Sequence, residues 1–224
     1  MNTQAIGILF LKDLFLSRRH LFAYFAAGMV SSVLTCIPDS TVSFVGFLLM
    51  ITVAIAAGIH LIGTLLLGES LGQTRMFVMS LPVSLLDYSL GKIAVVLTTY
   101  LVPWTAMLVC CTICTFVLPW AKHGSAIVLP LVFLFLLCGF TIQLVTAVVT
   151  ESLGWTICVM VAGNVLLNVF LMKVMSLPEI VAAKQSDVLM WPPIVVQILV
   201  VESLIIIGGL TAALFFQTRK RDLI

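Results

Sequence analysis

Few residues of this sequence have the chemistry for a functional site, and most of them lie inside long apolar runs. Polar side chains are costly in such runs, so each is a candidate for lining a path or for bonding a neighbouring helix. Asn164 and Asn168 are four residues apart and would share one helix face. Glu202 is the most costly, unless it lies shallow enough to reach water. The candidates for lining a path are His60, Gln143, Asn164, Asn168 and Glu202.

The motifs of an ATPase and of a zinc protease do not accompany these residues. Gly91-Lys92 lacks the upstream glycine and the following Ser or Thr of a phosphate-binding loop, so the chain is not expected to hydrolyse ATP. The zinc-protease pattern H-E-x-x-H does not occur. Cys111-x-x-Cys114 has a metal or redox spacing, but it has no neighbouring His or charge, which favours packing. We therefore expect no catalysis, metal or cofactor in this chain.

The composition is that of a membrane protein. Of the 224 residues, 62% are hydrophobic and 9% are charged, whereas a soluble domain carries about 25% charged residues. So few charges cannot cover a globule in water. This excludes a soluble enzyme, a disordered protein and a nucleic-acid-binding domain with a basic face, and no nucleic acid is expected as a partner.

The apolar runs predict an all-α polytopic membrane protein, a single domain over residues 1–224. A helix needs about 20 apolar residues to cross a bilayer, and most runs are separated by short polar connections. Six transmembrane helices are predicted, at residues 21–37, 42–67, 93–119, 126–149, 153–175 and 194–217.

The basic residues predict the orientation, because Lys and Arg concentrate on the cytoplasmic side of membrane proteins. With the N-terminus inside, eight of the eleven basic residues fall on the cytoplasmic side, and Lys122, Lys173 and Lys184 fall on the other. Both termini are therefore predicted to be cytoplasmic. At the N-terminus an apolar segment precedes the charges of residues 12–19, the reverse of a secretory signal, so no cleaved signal is expected.

Two segments are predicted to lie along the membrane surface. Residues 1–20 combine apolar positions with Lys12 and Asp13, which is typical of an amphipathic interfacial helix. The alternative is that they only begin the first span. Residues 176–193 contain charges, prolines and Trp191, and they indicate a short interfacial or re-entrant helix on the outward side.

The longest interruption between apolar runs is residues 68–92, on the predicted cytoplasmic side. Glu69 and Arg75 precede the apolar residues 76–79, and Pro82 then breaks the chain. This composition is typical of a short helix that lies along the membrane and offers a mixed surface to a partner. A connector without a partner is the alternative.

The chain resembles the type-2 ABC exporter permeases, the membrane subunits of ATP-driven exporters. The resemblance rests on the N-terminal Lys12-Asp13…Arg18-Arg19 segment, six predicted spans and the loop pattern Glu69…Arg75…Leu81-Pro82-Val83-Ser84…Tyr88…Gly91-Lys92. It implies that the loop contains a coupling helix that docks into an ATP-binding subunit. The residues implied at this junction are Glu69, Arg75, Leu81, Pro82, Tyr88 and Lys92, with Glu151 as a second cytoplasmic contact and Lys12 and Asp13 on a nearby interfacial helix.

The resemblance also implies the partners and the location. Two copies of a cytoplasmic ATP-binding subunit would bind ATP and Mg²⁺, and a second, identical or related permease copy would complete the path. The complex would lie among the lipids of a bacterial plasma membrane. The predicted spans lack clusters of charge, which favours a hydrophobic or amphipathic substrate such as a peptide, a lipid or a drug-like molecule. The alternatives are a standalone secondary carrier and a membrane scaffold that transports nothing.

Overall fold

A computed structural model describes residues 3–68 and 85–219, and within these ranges all regular structure is helical. A π-helix, Ile62–Leu67, continues α2, and a 3-10 helix, His123–Ile127, precedes α4. The α-helices are α1 (Thr3–Thr35), α2 (Ser40–Leu61), α3 (Leu85–Val117), α4 (Val128–Thr150), α5 (Leu153–Met175), α6 (Pro178–Gln185) and α7 (Pro193–Arg219).

Five helices in the described part of the chain are long and apolar enough to cross a membrane, which confirms an all-α protein with at least that many candidate spans. Helix α1 is not among the five, so the sixth span stays a prediction, as does the orientation. The candidate spans are Ser40–Leu67, Leu90–Val117, His123–Thr150, Leu153–Met175 and Pro193–Phe216.

Two predicted boundaries differ from the observed helix ends. Helix α1 continues through residue 20 without a break, so the proposed interfacial helix and the first apolar run form one rod. The predicted loop 68–92 overlaps α3, which begins at Leu85. Only the residues up to 84 can therefore belong to a connection. Whether the N-terminal half of α1 lies in the membrane interface stays a prediction.

Local sequence signals explain where several helices begin and end. The Asp39 Oδ1 atom accepts hydrogen bonds from the N–H groups of Thr41 and Val42, both at 2.9 Å, and so caps α2. Glu151 ends α4 in the left-handed conformation, with φ 50°, and α5 starts two residues later. Pro178 occupies the first turn of α6, where its missing N–H costs nothing.

The long helices pack as two groups of three. Helix α1 packs extensively against α3 and α2, and α4 packs extensively against α7 and α5. The main core joins the groups through α2, α3 and α4, where the rings of Tyr100 and Phe140 stack with centroids 3.8 Å apart. The buried indole N–H of Trp104, next to Pro103 inside α3, donates to the Phe133 carbonyl at 3.0 Å.

Helix α6, within the predicted surface segment 176–193, is held against the 3-10 helix by backbone contacts. The Gly124 N–H donates to the Ser186 carbonyl at 3.1 Å, and a Cβ at position 124 would collide with the Ala183 carbonyl oxygen. The Lys122 ammonium donates to the Gln185 carbonyl at 3.2 Å. These contacts fix the end of the bundle that is predicted to face outward.

The α4–α7 contact depends on one glycine of an adjacent pair. A Cβ at Gly209 would lie 2.7 Å from Cγ2 of Thr141, whereas one at Gly208 would meet nothing within 4 Å. Thr141 is fully buried, and its hydroxyl donates to the Leu137 carbonyl at 2.8 Å, so the methyl group cannot easily turn away. Small residues that allow close approach are typical of helix contacts in membranes.

We expect Gly209→Ala to lower the stability of the protein by about 1–3 kcal/mol through overpacking. The matched variant Gly208→Ala should be neutral or stabilising by up to about 1 kcal/mol, because alanine favours a helix. Thermal unfolding of the two variants in detergent measures the difference. Equal unfolding temperatures would contradict the close α4–α7 contact.

Candidate functional site

A buried ion pair joins α1 to α3. The Asp13 Oδ2 atom and the Lys92 ammonium are 2.7 Å apart, and their side chains are 3% and 6% exposed. Lys12 also approaches Asp13, at 3.7 Å, but its side chain is 49% exposed. Since buried charges are rare unless paired, the Asp13–Lys92 contact is the strongest electrostatic feature of the described residues.

The ion pair brings together two residues that were predicted as separate parts of a cytoplasmic junction. Asp13 was assigned to an interfacial helix, and Lys92 to the end of a loop. Lys92 instead lies two turns inside α3 and faces α1. A lysine can occupy this apolar position because Asp13 neutralises its charge, and the loop assignment of Lys92 was therefore wrong.

The other residues of the predicted coupling segment are only partly described. Glu69, Arg75, Leu81 and Pro82 lie outside the described residues, and Tyr88 lies in the first turn of α3. The π-helix Ile62–Leu67 leads directly towards this segment. Single π-turns inside α-helices are frequent at functional positions.

Glu151, the predicted second contact, is exposed in the turn between α4 and α5. Its positive φ is unusual for a residue other than glycine and costs about 1–2 kcal/mol. The turn lies at the same end of the bundle as the start of α3, because α3 and α4 run in opposite directions. The geometry thus brings Glu151 to the end of the bundle where the 68–85 connection is attached.

Two of the predicted path residues, Gln143 and Asn164, line one small pocket. The Oε1 atom of Gln143 is buried and has no hydrogen-bond partner among the described residues. The pocket has a volume of about 30 Å³, which is enough to hold water. It is lined by Ala54, Ile55, Gly58, Tyr100, Phe135, Leu136, Gly139, Phe140, Gln143, Gly163, Asn164 and Leu167.

Asn168 does not enter that pocket, although it shares a helix with Asn164. Its side chain is exposed, and its amide nitrogen donates to the Asn164 carbonyl at 2.9 Å. The surrounding surface of α5 is apolar, with Val165, Leu166 and Val169 exposed. An amide on a surface that lipid would otherwise cover is costly, so this position favours a contact with protein or with water.

His60 lies on another side of the bundle, between α1 and α2. Its ring centroid is 4.6 Å from that of His20 and 5.8 Å from that of Tyr24. The Nδ1 atom of His60 is buried without a hydrogen-bond partner in the described ranges. The structure therefore separates His60 from the pocket of Gln143 and Asn164.

Glu202 lies between α7 and α4. It is 4% exposed, and neither carboxylate oxygen has a hydrogen-bond partner among the described residues. The Cys138 thiol donates to its backbone carbonyl at 3.2 Å. Given the rise of an α-helix, Glu202 is about 14 Å along the axis from Pro193, near the middle of a hydrocarbon core of about 30 Å. The alternative that Glu202 reaches water on the outer side stays a prediction.

A hydrolase-like spacing is also present. Gly68-Glu69-Ser70-Leu71-Gly72 fits the G-x-S-x-G pattern, which in α/β hydrolases forms a sharp turn after a β-strand. Here the pattern follows the π-helix that ends at Leu67, and the described ranges contain no strand. They also contain no group of three or more His, Cys, Asp or Glu residues placed to hold a metal ion.

Comparison of the chain with protein-family models, curated proteins and solved structures finds no match in any of the three. The resemblance to exporter permeases therefore rests on the N-terminal charged segment, the six predicted spans and the loop pattern from Glu69 to Lys92.

We expect Asp13→Asn and Lys92→Met each to destabilise the protein by about 3–5 kcal/mol, because each removes the close, buried partner of a buried charge. The double variant Asp13→Leu/Lys92→Leu should recover much of that loss, whereas Lys12→Ala should change stability by less than about 0.5 kcal/mol. Chemical unfolding in detergent gives the coupling energy of the pair. Additive losses in the double variant would contradict a direct ion pair.

Proposed function

We propose that the chain is the transmembrane permease subunit of an ATP-driven exporter. ATP hydrolysis takes place in a separate cytoplasmic subunit, present in two copies, which binds ATP and Mg²⁺. Two permease copies form the path for a hydrophobic or amphipathic substrate, a peptide, a lipid or a drug-like molecule. The complex spans a bacterial plasma membrane with both termini of the permease inside.

The observation that carries this proposal is the buried ion pair between Asp13 and Lys92. Lys92 belongs to the helix that emerges directly from the segment proposed to dock on the ATPase. A displacement of that segment moves the start of α3, and the ion pair transfers the displacement to α1. Rigid helices that shift against one another are a common means of transmitting such motion.

The need for a second copy is supported by the size of the pocket and by the exposed helices. A pocket of about 30 Å³ is far below the roughly 300–1,000 Å³ of sites for small molecules, so the pocket of Gln143 and Asn164 is too small to hold a substrate. In the most apolar 18-residue stretch of α5, and likewise of α7, only 11% of the residues are buried, compared with 50% in that of α4. We propose that the face of α5 that carries Asn168 contacts the second permease copy or lines the substrate path.

A standalone secondary carrier is favoured by one observation, the buried carboxyl group of Glu202 near mid-membrane. Ionisable groups at this depth are common in proton relays. A coupled carrier would need a partner group for Glu202, and the described residues supply only the neutral Cys138. Lys92 cannot serve, since it is bound to Asp13. The exporter is therefore preferred, with the carrier and a non-transporting scaffold as alternatives.

The test of this function is the recovery of the ATPase from native membranes in mild detergent with a tagged chain. We expect a P-loop ATPase to accompany the wild type. Glu69→Arg and Glu151→Arg should reduce its recovery by roughly tenfold, the effect of about 1.4 kcal/mol. Glu179→Arg is the matched control, because Glu179 is exposed like Glu151 but lies in α6 at the opposite end of the bundle.

The outcomes separate the alternatives. If the ATPase is recovered equally with all variants, the exporter stands and the docking residues are wrong. If the wild type recovers no ATPase under conditions that preserve such complexes, the exporter proposal fails and a carrier or a scaffold takes its place.

The proposed contact between copies predicts a cross-linking pattern on α5. In a Cys158→Ser background, Asn168→Cys should cross-link two permease copies with a short bifunctional thiol reagent. Leu166→Cys is the control, since residues two positions apart point to nearly opposite sides of a helix and both side chains are exposed. Cross-linking through position 166 but not 168 would assign the wrong face of α5 to the contact.

A further inference from the structure

One face of the first half of α1 combines exposed apolar and exposed basic side chains. Leu11, Phe15 and Phe22 are 61–73% exposed, and the Arg18 side chain is exposed between them. Steps of three and four residues place these four side chains on one stripe of the helix. Arg19, which is also exposed, lies beside the stripe. We call this surface the basic face of α1.

The two arginines of the basic face have no ion pair with a described residue. Asp13 is the acidic residue of α1, and it faces α3, where it binds Lys92 at 2.7 Å. The Arg18 guanidinium lies 3.9 Å from the centre of the Phe15 ring, a contact that supplies no counter-charge. Both arginines therefore keep a positive charge that an anion from outside the chain can bind.

Helices α1 and α3 lie side by side and run in the same direction. Asp13 contacts Lys92 in their first halves. Farther along, Gly28 lies so close to Met107 that a Cβ at position 28 would be 2.8 Å from the Met107 sulfur. The level of a residue of α1 in the membrane can therefore be taken from α3.

Arg18 and Arg19 lie near the level where lipid headgroups meet the hydrocarbon. Lys92 is close to the start of the candidate span Leu90–Val117. Because that span is about 42 Å long, its first residues lie outside a hydrocarbon core of about 30 Å. The arginines are about 8–9 Å farther along α1 than Asp13, and about 24 Å of helix remain between Arg19 and the end of α1. Arginine side chains at this level can reach phosphate groups while their stems cover apolar surface.

The outward surface of α1 beyond the arginines is apolar. Phe22, Val30 and Val33 are 54–73% exposed, whereas Ser31 and Ser32 are buried against the bundle. A ligand that matches both parts of this surface has an anionic group at the arginines and an apolar body along the helix. An anionic phospholipid has both, whereas an acidic soluble protein matches only the arginines.

We propose that Arg18 and Arg19 bind the phosphate group of an anionic phospholipid whose acyl chains lie along Phe22, Val30 and Val33. A guanidinium can donate two parallel hydrogen bonds to one phosphate group, which a lysine ammonium cannot do. The headgroup carries a net negative charge, because the cationic amine of a zwitterionic headgroup would compete with the arginines for the phosphate. The proposed orientation places the site in the cytoplasmic leaflet, whose surface is negative.

The test measures lipid binding to the purified full chain in detergent by native mass spectrometry. Phosphatidylglycerol is the anionic probe, and phosphatidylcholine of the same chain length is the zwitterionic one. We expect the wild type to bind phosphatidylglycerol roughly tenfold more tightly, since each basic residue near an anionic lipid surface contributes about fivefold. The double variant Arg18→Gln/Arg19→Gln should lose this preference.

The matched control is Lys173→Gln/Lys184→Gln, which removes the same charge from exposed positions of α5 and α6 at the other end of the bundle. This variant should keep the preference for phosphatidylglycerol. Glutamine has nearly the helix propensity of arginine and lysine, and the unfolding temperature without added lipid verifies that both double variants are folded.

The proposal is overturned if the wild type binds the two lipids equally, which would leave an acidic protein as the ligand of the basic face. It is also overturned if both double variants lose the preference to the same extent, because binding then follows net charge alone. Displacement of the lipid by inorganic phosphate, but not by chloride at equal ionic strength, would assign a free anion to the arginines and overturn the lipid site. None of these results depends on an ATPase, so they stand or fall separately from the exporter.

Discussion

In a hydrocarbon environment, a charge must find its counter-charge inside the protein, and the contact between Asp13 and Lys92 meets this requirement for the α1–α3 pair. Helix α1 carries Lys12, Asp13, Arg18 and Arg19 in its first half, and only Asp13 is buried. The others remain exposed, and the Arg18 guanidinium lies 3.9 Å above the Phe15 ring. Long basic side chains can cover apolar surface while their charge reaches water. Helix α1 thus joins the bundle although it is less apolar than the five candidate spans.

Apolar periodicity was sufficient to predict the membrane-crossing helices and insufficient to predict where polar residues meet. Five predicted spans agree with candidate spans to within a few residues, because a long apolar run has few other stable structures in a bilayer. The start of α3 was missed because residues 85–92 are mixed in polarity. Asp13 and Lys92 were both selected from the sequence, but their pairing depends on the packing of α1 against α3, which no local pattern contains.

The polar residues within the spans show the same limit. Their cost in lipid was evident from the sequence, but the site each one occupies was not. Gln143 and Asn164 converge on one pocket, Asn168 faces outward, and Glu202 lies between α4 and α7.

The two buried acids among the described residues, Asp13 and Glu202, lie at helix contacts of two different kinds. Asp13 is neutralised by Lys92, so α1 and α3 are joined by a bond that resists separation. Glu202 has no such partner among the described residues, and α4 and α7 are joined instead by the close approach at Gly209 and by apolar packing. Within residues 3–68 and 85–219, helix α5 has neither kind of contact. It buries few residues, packs mainly on α4 and forms one wall of the pocket with Gly163, Asn164 and Leu167. Because α5 would lose few buried contacts on moving, a displacement of α5 away from α2 and α3 is the least costly way to widen this pocket.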